Sequence, residues 1–199
     1  MIKAWRRGCG LAVLLCGIAF SAGAQSEFRV GETLPAPPPR ALPAGVVELE
    51  WEALMPPHWQ PRKALEGVDL AALSDNDPKA NELLAKLRRE LDRAPVVKAL
   101  DGKRVRIAGF VVTLERDDKG VREFLLVPYF GACIHTPPPP ANQIVHVLPK
   151  THVPAEVAIF PVYVTGVLQT VAAVTAEGAA GYRIADAQVE EYPWRRQRR

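Results

Sequence analysis

One cysteine and two histidines lie close together in the stretch LVPYFGACIHTPPPPANQIVHV, which covers residues 126–147. Cys133 and His135 are separated by one residue, and His146 follows a run of four prolines. Alternate residues of a β-strand point to the same face, so the first two side chains would project together. One thiolate and two imidazoles are suitable zinc ligands, and three protein ligands leave one coordination position open. The residue types are therefore compatible with a zinc site.

A hairpin closed across the prolines would bring the three side chains together. If its centre lies between Pro140 and Ala141, His135 stands opposite His146. Cross-strand neighbours lie about 4.5–5.5 Å apart at Cβ, which would place Cys133 and both imidazoles within reach of one ion. The zinc hypothesis depends on this register.

The proline run and the two amides that follow it form a predicted binding loop. Consecutive prolines favour a stiff polyproline II conformation. The amides could orient a ligating imidazole, or the rigid loop could dock a partner protein without a metal. The predicted loop residues are Pro137, Pro138, Pro139, Pro140, Asn142 and Gln143.

Two other interpretations of Cys133 remain open. A buried cysteine behaves as a small apolar residue. A nearby histidine can also lower the pKa of a thiol and make it a nucleophile. No third residue that would orient a catalytic pair is evident, so no enzyme activity is expected. His152 is expected to be an exposed loop residue.

The first residues have the features of a secretory signal. Three basic residues precede an apolar stretch at residues 11–20, and an A-x-A site ends at Ala24. This pattern predicts cleavage after Ala24, with residues 1–24 as signal peptide, and a periplasmic location. The apolar stretch is shorter than the roughly 20 residues of a spanning helix, and no later segment reaches that length. No transmembrane span is therefore expected.

Removal of the signal changes two properties of the chain. The signal carries three of the 25 basic residues and none of the 22 acidic ones, so the mature chain is expected to be near neutral. Near-neutral charge disfavours nucleic-acid binding, which requires a basic surface. Two of the three cysteines are also removed, so Cys133 would have no partner for an internal disulfide.

The mature chain divides into four predicted segments. Residues 25–45 are rich in proline and alanine and are interpreted as a tether. Residues 46–98 are a helical clasp, residues 99–194 a β-rich domain and residues 195–199 a basic tail.

Two helices are predicted in the clasp. Trp51, Leu54 and Met55 occupy one face of a short helix that the following proline pair ends. Residues 78–93 have the period of an amphipathic helix. Its apolar stripe comprises Leu83, Leu84, Leu87 and Leu91.

From about residue 100 the hydrophobic period changes to two, which is typical of strands. Gly109 and Gly166 each interrupt a strand, and glycine inside a strand usually marks a bulge or bend. Five strands with the first and fourth bent predict a mainly β fold, a five-stranded OB-like Greek-key barrel with an N-terminal helical segment. The predicted strands cover residues 102–115, 122–130, 143–149, 160–171 and 181–192.

Three segments, FLLVPYFGACIHTPPPPANQIV, LDGKRVRIAGFVVTLE and WEALMPP, together resemble the exported bacterial proteins grouped as domain of unknown function 3299. The resemblance covers roughly residues 48–192, and CIHTPPPPANQ is its most specific part. It implies a small periplasmic protein or lipoprotein without an established enzyme activity. Some relatives are encoded beside ABC-type export systems under zinc-responsive control, which implies a link to metal homeostasis. The motif includes Cys133 and His135, whereas His146 lies outside its tightest part.

These observations predict a non-enzymatic periplasmic accessory or binding protein, linked to zinc homeostasis or to an ABC-type export system. Zinc is the expected cofactor, and the export system or another envelope protein is the expected partner. The alternative is a protein–protein docking module that uses the rigid loop at residues 137–140 without metal. An oligonucleotide-binding role is disfavoured by the predicted export and neutral charge. The sequence does not predict the oligomeric state.

Overall fold

The structure is a computed structural model that describes residues 28–35, 41–60 and 78–193. The predicted signal peptide at residues 1–24, part of the tether and the basic tail at residues 195–199 lie outside the described residues.

Short helices and eight strands make up the described part of the chain. Trp51–Leu54, Lys98–Leu100 and Ala141–Gln143 form 3-10 turns, and the α-helices are α1, Pro78–Asp92, and α2, Ala155–Ala158. The strands are β1, Val47–Glu48; β2, Arg104–Asp117; β3, Gly120–Val127; β4, Val145–Pro149; β5, Val162–Gln169; β6, Ala173–Val174; β7, Ala179–Ala180; and β8, Tyr182–Glu191.

Five of these strands close into a barrel. Their order around the barrel is β2, β3, β4, β8 and β5, and β5 pairs back onto β2. The β4–β8 pair is parallel, and the other four pairs are antiparallel. This order is that of an OB-type Greek-key barrel, so the predicted fold is confirmed. The short strand β1 adds to the outside of β2 in parallel.

The predicted bends coincide with the glycines in β2 and β5. Residues 104–109 of β2 pair with β5, whereas the rest of the strand pairs with β3. At this change of partner, a Cβ on Gly109 would lie 2.7 Å from the carbonyl oxygen of Val127, so no other residue fits without a shift. The β5–β8 register shifts between Thr165 and Val167, at Gly166. Each bend lets one long strand contribute to two sides of the barrel.

Alternate side chains separate two apolar clusters. Phe124 and Leu126 belong to the cluster that fills the barrel, whereas Leu125 and Val127 belong to a second cluster. Because the side chains of consecutive strand residues point to opposite faces, the second cluster lies on the outer face of the barrel. Phe28, Phe110 and Phe130 cover that face, and the rings of Phe28 and Phe110 meet edge to face at 5.1 Å.

Tyr182 connects the clasp to the barrel. Its fully buried hydroxyl donates a hydrogen bond to the carbonyl oxygen of Leu54 and accepts one from the amide of Val97, both at 2.7 Å. Leu54 itself is fully buried, so the 3-10 turn Trp51–Leu54 packs onto the β-rich domain.

Helix α1 confirms the predicted amphipathic helix within one residue at its end. Its predicted apolar stripe is only partly covered by the described residues. Leu83, Leu87 and Leu91 are half-buried, and Leu84 is 61% exposed. In the part of the chain that the structure describes, no helix has the length and apolar character required to cross a membrane.

Candidate functional site

The loop between β3 and β4, residues 128–144, is called the signature loop because it contains the CIHTPPPPANQ motif. Its first part is a tight coil closed on one carbonyl group. The oxygen of Gly131 accepts hydrogen bonds from the amides of His135 at 2.8 Å and Thr136 at 3.1 Å. Cys133 has a φ of 65°, in the left-handed region. The prediction that Cys133 and His135 share one face of a strand is therefore wrong.

His146 lies on β4, and its position corrects the predicted hairpin. In the β3–β4 pair, His146 stands opposite Leu125 and not opposite His135. Its side chain is 7% exposed, and its Nε2 lies 2.6 Å from Oε1 of Glu123. The apolar side chains of β3 and β4 that point into the barrel determine how the two strands pair. The resulting register is centred between His135 and Thr136, inside the coil. His146 therefore forms a hydrogen-bonded pair on the outer face of the barrel.

The three predicted ligands do not form a preorganised metal centre. Among the described residues, which include Cys133, His135 and His146, no group of three or more His, Cys, Asp or Glu side chains could hold a metal ion. Cys133 is half-buried, and burial raises its pKa to about 11. At this pKa the thiol is protonated near neutral pH in the metal-free protein. Metals bind the thiolate and not the protonated thiol. Zinc binding stays a prediction that this geometry does not favour.

The two amides of the motif have a structural role in the described residues. Asn142 is fully buried and donates to the carbonyl oxygen of Pro95 at 2.9 Å. Gln143 donates to the carbonyl oxygen of Trp51 at 2.7 Å. Both acceptors belong to the clasp. The amides therefore hold the signature loop against the clasp, and neither donates to an imidazole as the sequence had suggested.

The proline run is packed for most of its length. Pro137 is exposed, Pro138 and Pro140 are half-buried, and Pro139 is buried. Pro139 and Pro140 face the clasp across a cavity that Trp51 also lines. The run therefore serves as a scaffold, and the exposed residues of the signature loop are Ile134, His135 and Pro137.

An apolar groove of about 850 Å³ runs beside this coil. Phe110, Val112 and Val127, on the outer face of β2 and β3, line it. Ile134 from the coil is 64% exposed, and Ile159, which follows α2, is 68% exposed. The sequence analysis missed both isoleucines. An apolar residue between Cys133 and His135 was the available signal, but exposure cannot be inferred from residue type alone.

Polar side chains surround the groove at several points. Thr113, His135 and Glu177 contribute to its lining. His152, which the sequence placed in an exposed loop, is indeed exposed, and its Nε2 lies 3.1 Å from Oδ2 of Asp117. It does not line the groove. The groove thus combines an apolar floor with groups that can donate and accept hydrogen bonds.

The protein is an OB-type barrel with a helical clasp. Its signature loop packs against the clasp through the proline run and borders the apolar groove through the coil. The chain belongs to the family described as protein of unknown function (DUF3299), which matches residues 51–191. It is similar to the crystal structure of a DUF3299 family protein from Pseudomonas aeruginosa PAO1, with 34% sequence identity and a TM-score of 0.58. That match covers 80% of this chain and 99% of the other. No curated protein matches the chain. The family predicted from the motif is confirmed.

Proposed function

We propose that the protein is a non-enzymatic accessory protein of the cell envelope that docks an apolar peptide segment of a partner protein in the groove beside the signature loop. The observation that carries this proposal is the pair of exposed isoleucines on two different elements. Ile134 and Ile159 both line the same groove, so one segment lying in it would cover both. Exposed aliphatic residues that border a large apolar groove are typical of binding sites.

The lining favours a peptide over an acyl chain as the occupant. A peptide brings backbone amide and carbonyl groups that require hydrogen-bond partners, and an acyl chain brings none. Thr113, His135 and Glu177 supply such partners beside an otherwise apolar lining. The docking surface therefore differs from the one predicted from sequence, which was the proline run itself.

Site-specific photocrosslinking tests this proposal in cells that express the full chain. A photoreactive amino acid is introduced at position 134, at position 159 or at Val47, which is 51% exposed but does not line the groove. We expect the same protein adduct at positions 134 and 159 and none at 47. Ile134→Glu should abolish the adduct formed at 159, and Val47→Glu should leave it unchanged.

Two outcomes would overturn the proposal. One is an adduct pattern at position 47 that matches the pattern at the groove positions, which would indicate non-specific contact. The other is recovery of lipid adducts alone from positions 134 and 159, which would assign the groove to an acyl chain.

A further inference from the structure

A separate cavity of about 420 Å³ lies between the clasp and the signature loop. Four aromatic side chains line it, two from the clasp and two from the rest of the domain: Trp51, Trp59, Tyr129 and Tyr192. The indole of Trp51 is fixed because its Nε1 donates to the carbonyl oxygen of Ala108 at 2.7 Å. A cavity of this size is in the range of sites for small ligands. We call it the aromatic cavity.

The described side chains that line the aromatic cavity carry negative charge. Glu48, Glu50 and Glu52 line it, and no Lys, Arg or His in the described part of the chain does so. Glu48 forms an ion pair with Arg106 at 3.1 Å, so its charge is balanced. Glu50 and Glu52 are exposed and have no ion pair within residues 28–35, 41–60 and 78–193. Two uncompensated carboxylates therefore stand at the cavity.

A buried amide adds a hydrogen-bond acceptor. Gln143 is 9% exposed and lines the aromatic cavity. Its amide nitrogen is occupied, because it donates to the carbonyl oxygens of Trp51 and Asn142. No hydrogen bond to its amide oxygen is formed by the described residues. This oxygen is therefore available to accept a hydrogen bond from a ligand in the cavity.

We propose that the aromatic cavity binds an organic cation, an ammonium or guanidinium group on a short aliphatic stem. The faces of Trp and Tyr rings attract cations, and several such rings around a cavity form the kind of cage that holds alkylammonium groups. Glu50 and Glu52 supply the opposite charge, and the oxygen of Gln143 accepts a hydrogen bond from an N–H or O–H group of the ligand. This site is independent of the apolar groove and uses none of its residues.

A free solute or a basic side chain of a partner protein can supply this cation, and different probes distinguish the two. Choline stands for the free solute, and N-acetyl-arginine methylamide for the side chain. The neutral compound 3,3-dimethyl-1-butanol has the shape of choline without its charge and serves as the control. Binding to the full mature chain is followed by saturation-transfer NMR and by tryptophan fluorescence.

We expect saturable binding of at least one of the two cations, with the neutral control at least about tenfold weaker. The double variant Glu50→Gln/Glu52→Gln should weaken cation binding by roughly three- to tenfold and leave the control unaffected. Trp59→Leu should abolish the cation preference. Glu156→Gln, which removes an exposed carboxylate outside the cavity, should change nothing.

Two results would overturn the site. The first is equal affinity for choline and its neutral control, which would show that only shape is recognised. The second is no saturable binding of either cation up to about 50 mM, while the chain remains folded by circular dichroism. If Trp59→Leu unfolds, the carboxylate double variant decides the question, because both of its residues are exposed.

Discussion

Gln143 donates its side-chain amide to the carbonyl oxygen of Trp51 over 2.7 Å, joining the signature loop to the clasp across 92 residues of chain. The bond is nearly shielded from water because Gln143 is 9% exposed. Two segments that are both present in the family motif are thus physically connected. This contact gives the amide nitrogen of Gln143 a structural role.

Replacing Gln143 by alanine is expected to lower the free energy of unfolding by about 1–3 kcal/mol, because it leaves the partly buried carbonyl group of Trp51 unpaired. Gln188→Ala, at an exposed position of β8, is the matched control and should change it by less than about 0.5 kcal/mol. Urea unfolding of the two variants measures the difference. Equal stability of both would show that the bond to Trp51 contributes nothing.

Tyr182→Phe tests the attachment of the clasp to the barrel. It removes a hydroxyl that accepts from Val97 and donates to Leu54, so a partly buried amide and a buried carbonyl group lose their partner. We expect a loss of about 2–5 kcal/mol in the free energy of unfolding. Tyr129→Phe, at a half-buried tyrosine, should cost less. Thermal unfolding measures both variants. A larger loss of stability at Tyr129 than at Tyr182 would contradict the role of the Tyr182 hydroxyl in holding the clasp.

The thiol of Cys133 should react slowly at neutral pH. Burial raises its pKa to about 11 from the usual 9, so alkylation by iodoacetamide should rise with a midpoint near pH 11. Because the folded state holds this proton more tightly than the unfolded chain, the stabilisation is complete below pH 9 and is lost as the pH rises toward 11. Mass spectrometry of the chain from Gln25 onward measures the rate.

A midpoint of alkylation below pH 9 would contradict that prediction and would identify Cys133 as an activated thiol. The same chain with Cys133→Ser controls for alkylation elsewhere. The Cys133→Ser variant should lack the loss of stability between pH 9 and 11 that the thiol causes.

Metal analysis tests the original ligand set directly. Since His146 bonds to Glu123 and Cys133 is protonated, we expect Cys133→Ala, His135→Ala and His146→Ala to leave the zinc content per chain unchanged. Inductively coupled plasma mass spectrometry of protein purified from the envelope fraction gives this content. Loss of about one zinc ion per chain in all three variants would restore the three-ligand site.

The barrel could be predicted from sequence because its determinants are local. The alternation of apolar residues defines each strand, and Gly109 marks the point where β2 changes its partner. The signature loop could not be predicted in the same way. Its conformation depends on the carbonyl oxygen of Gly131, which accepts hydrogen bonds from several backbone amides, and on the left-handed backbone conformation of Cys133. Neither feature has a periodic pattern, so a symmetric hairpin was the wrong assumption.

The candidate sites were only partly predictable for a related reason. The sequence singled out the signature loop through its cysteine, histidines and proline run. It did not show that Asn142 and Gln143 would point to clasp carbonyls, because those partners lie 47 and 92 residues away. Exposure of Ile134 likewise depends on the coil that presents it. Long-range contacts therefore decide which motif residues face solvent.

The parallel pairing of β4 with β8 has a consequence for the order in which the chain can assemble. β8 fills the gap between β4 and β5, and among the strands of the described residues it is synthesised last. Until it arrives, both neighbours present unpaired strand edges, to which other chains can add. A chain shortened before Tyr182 should therefore remain open and self-associate, whereas the barrel of the full chain closes only when residues 182–191 are available.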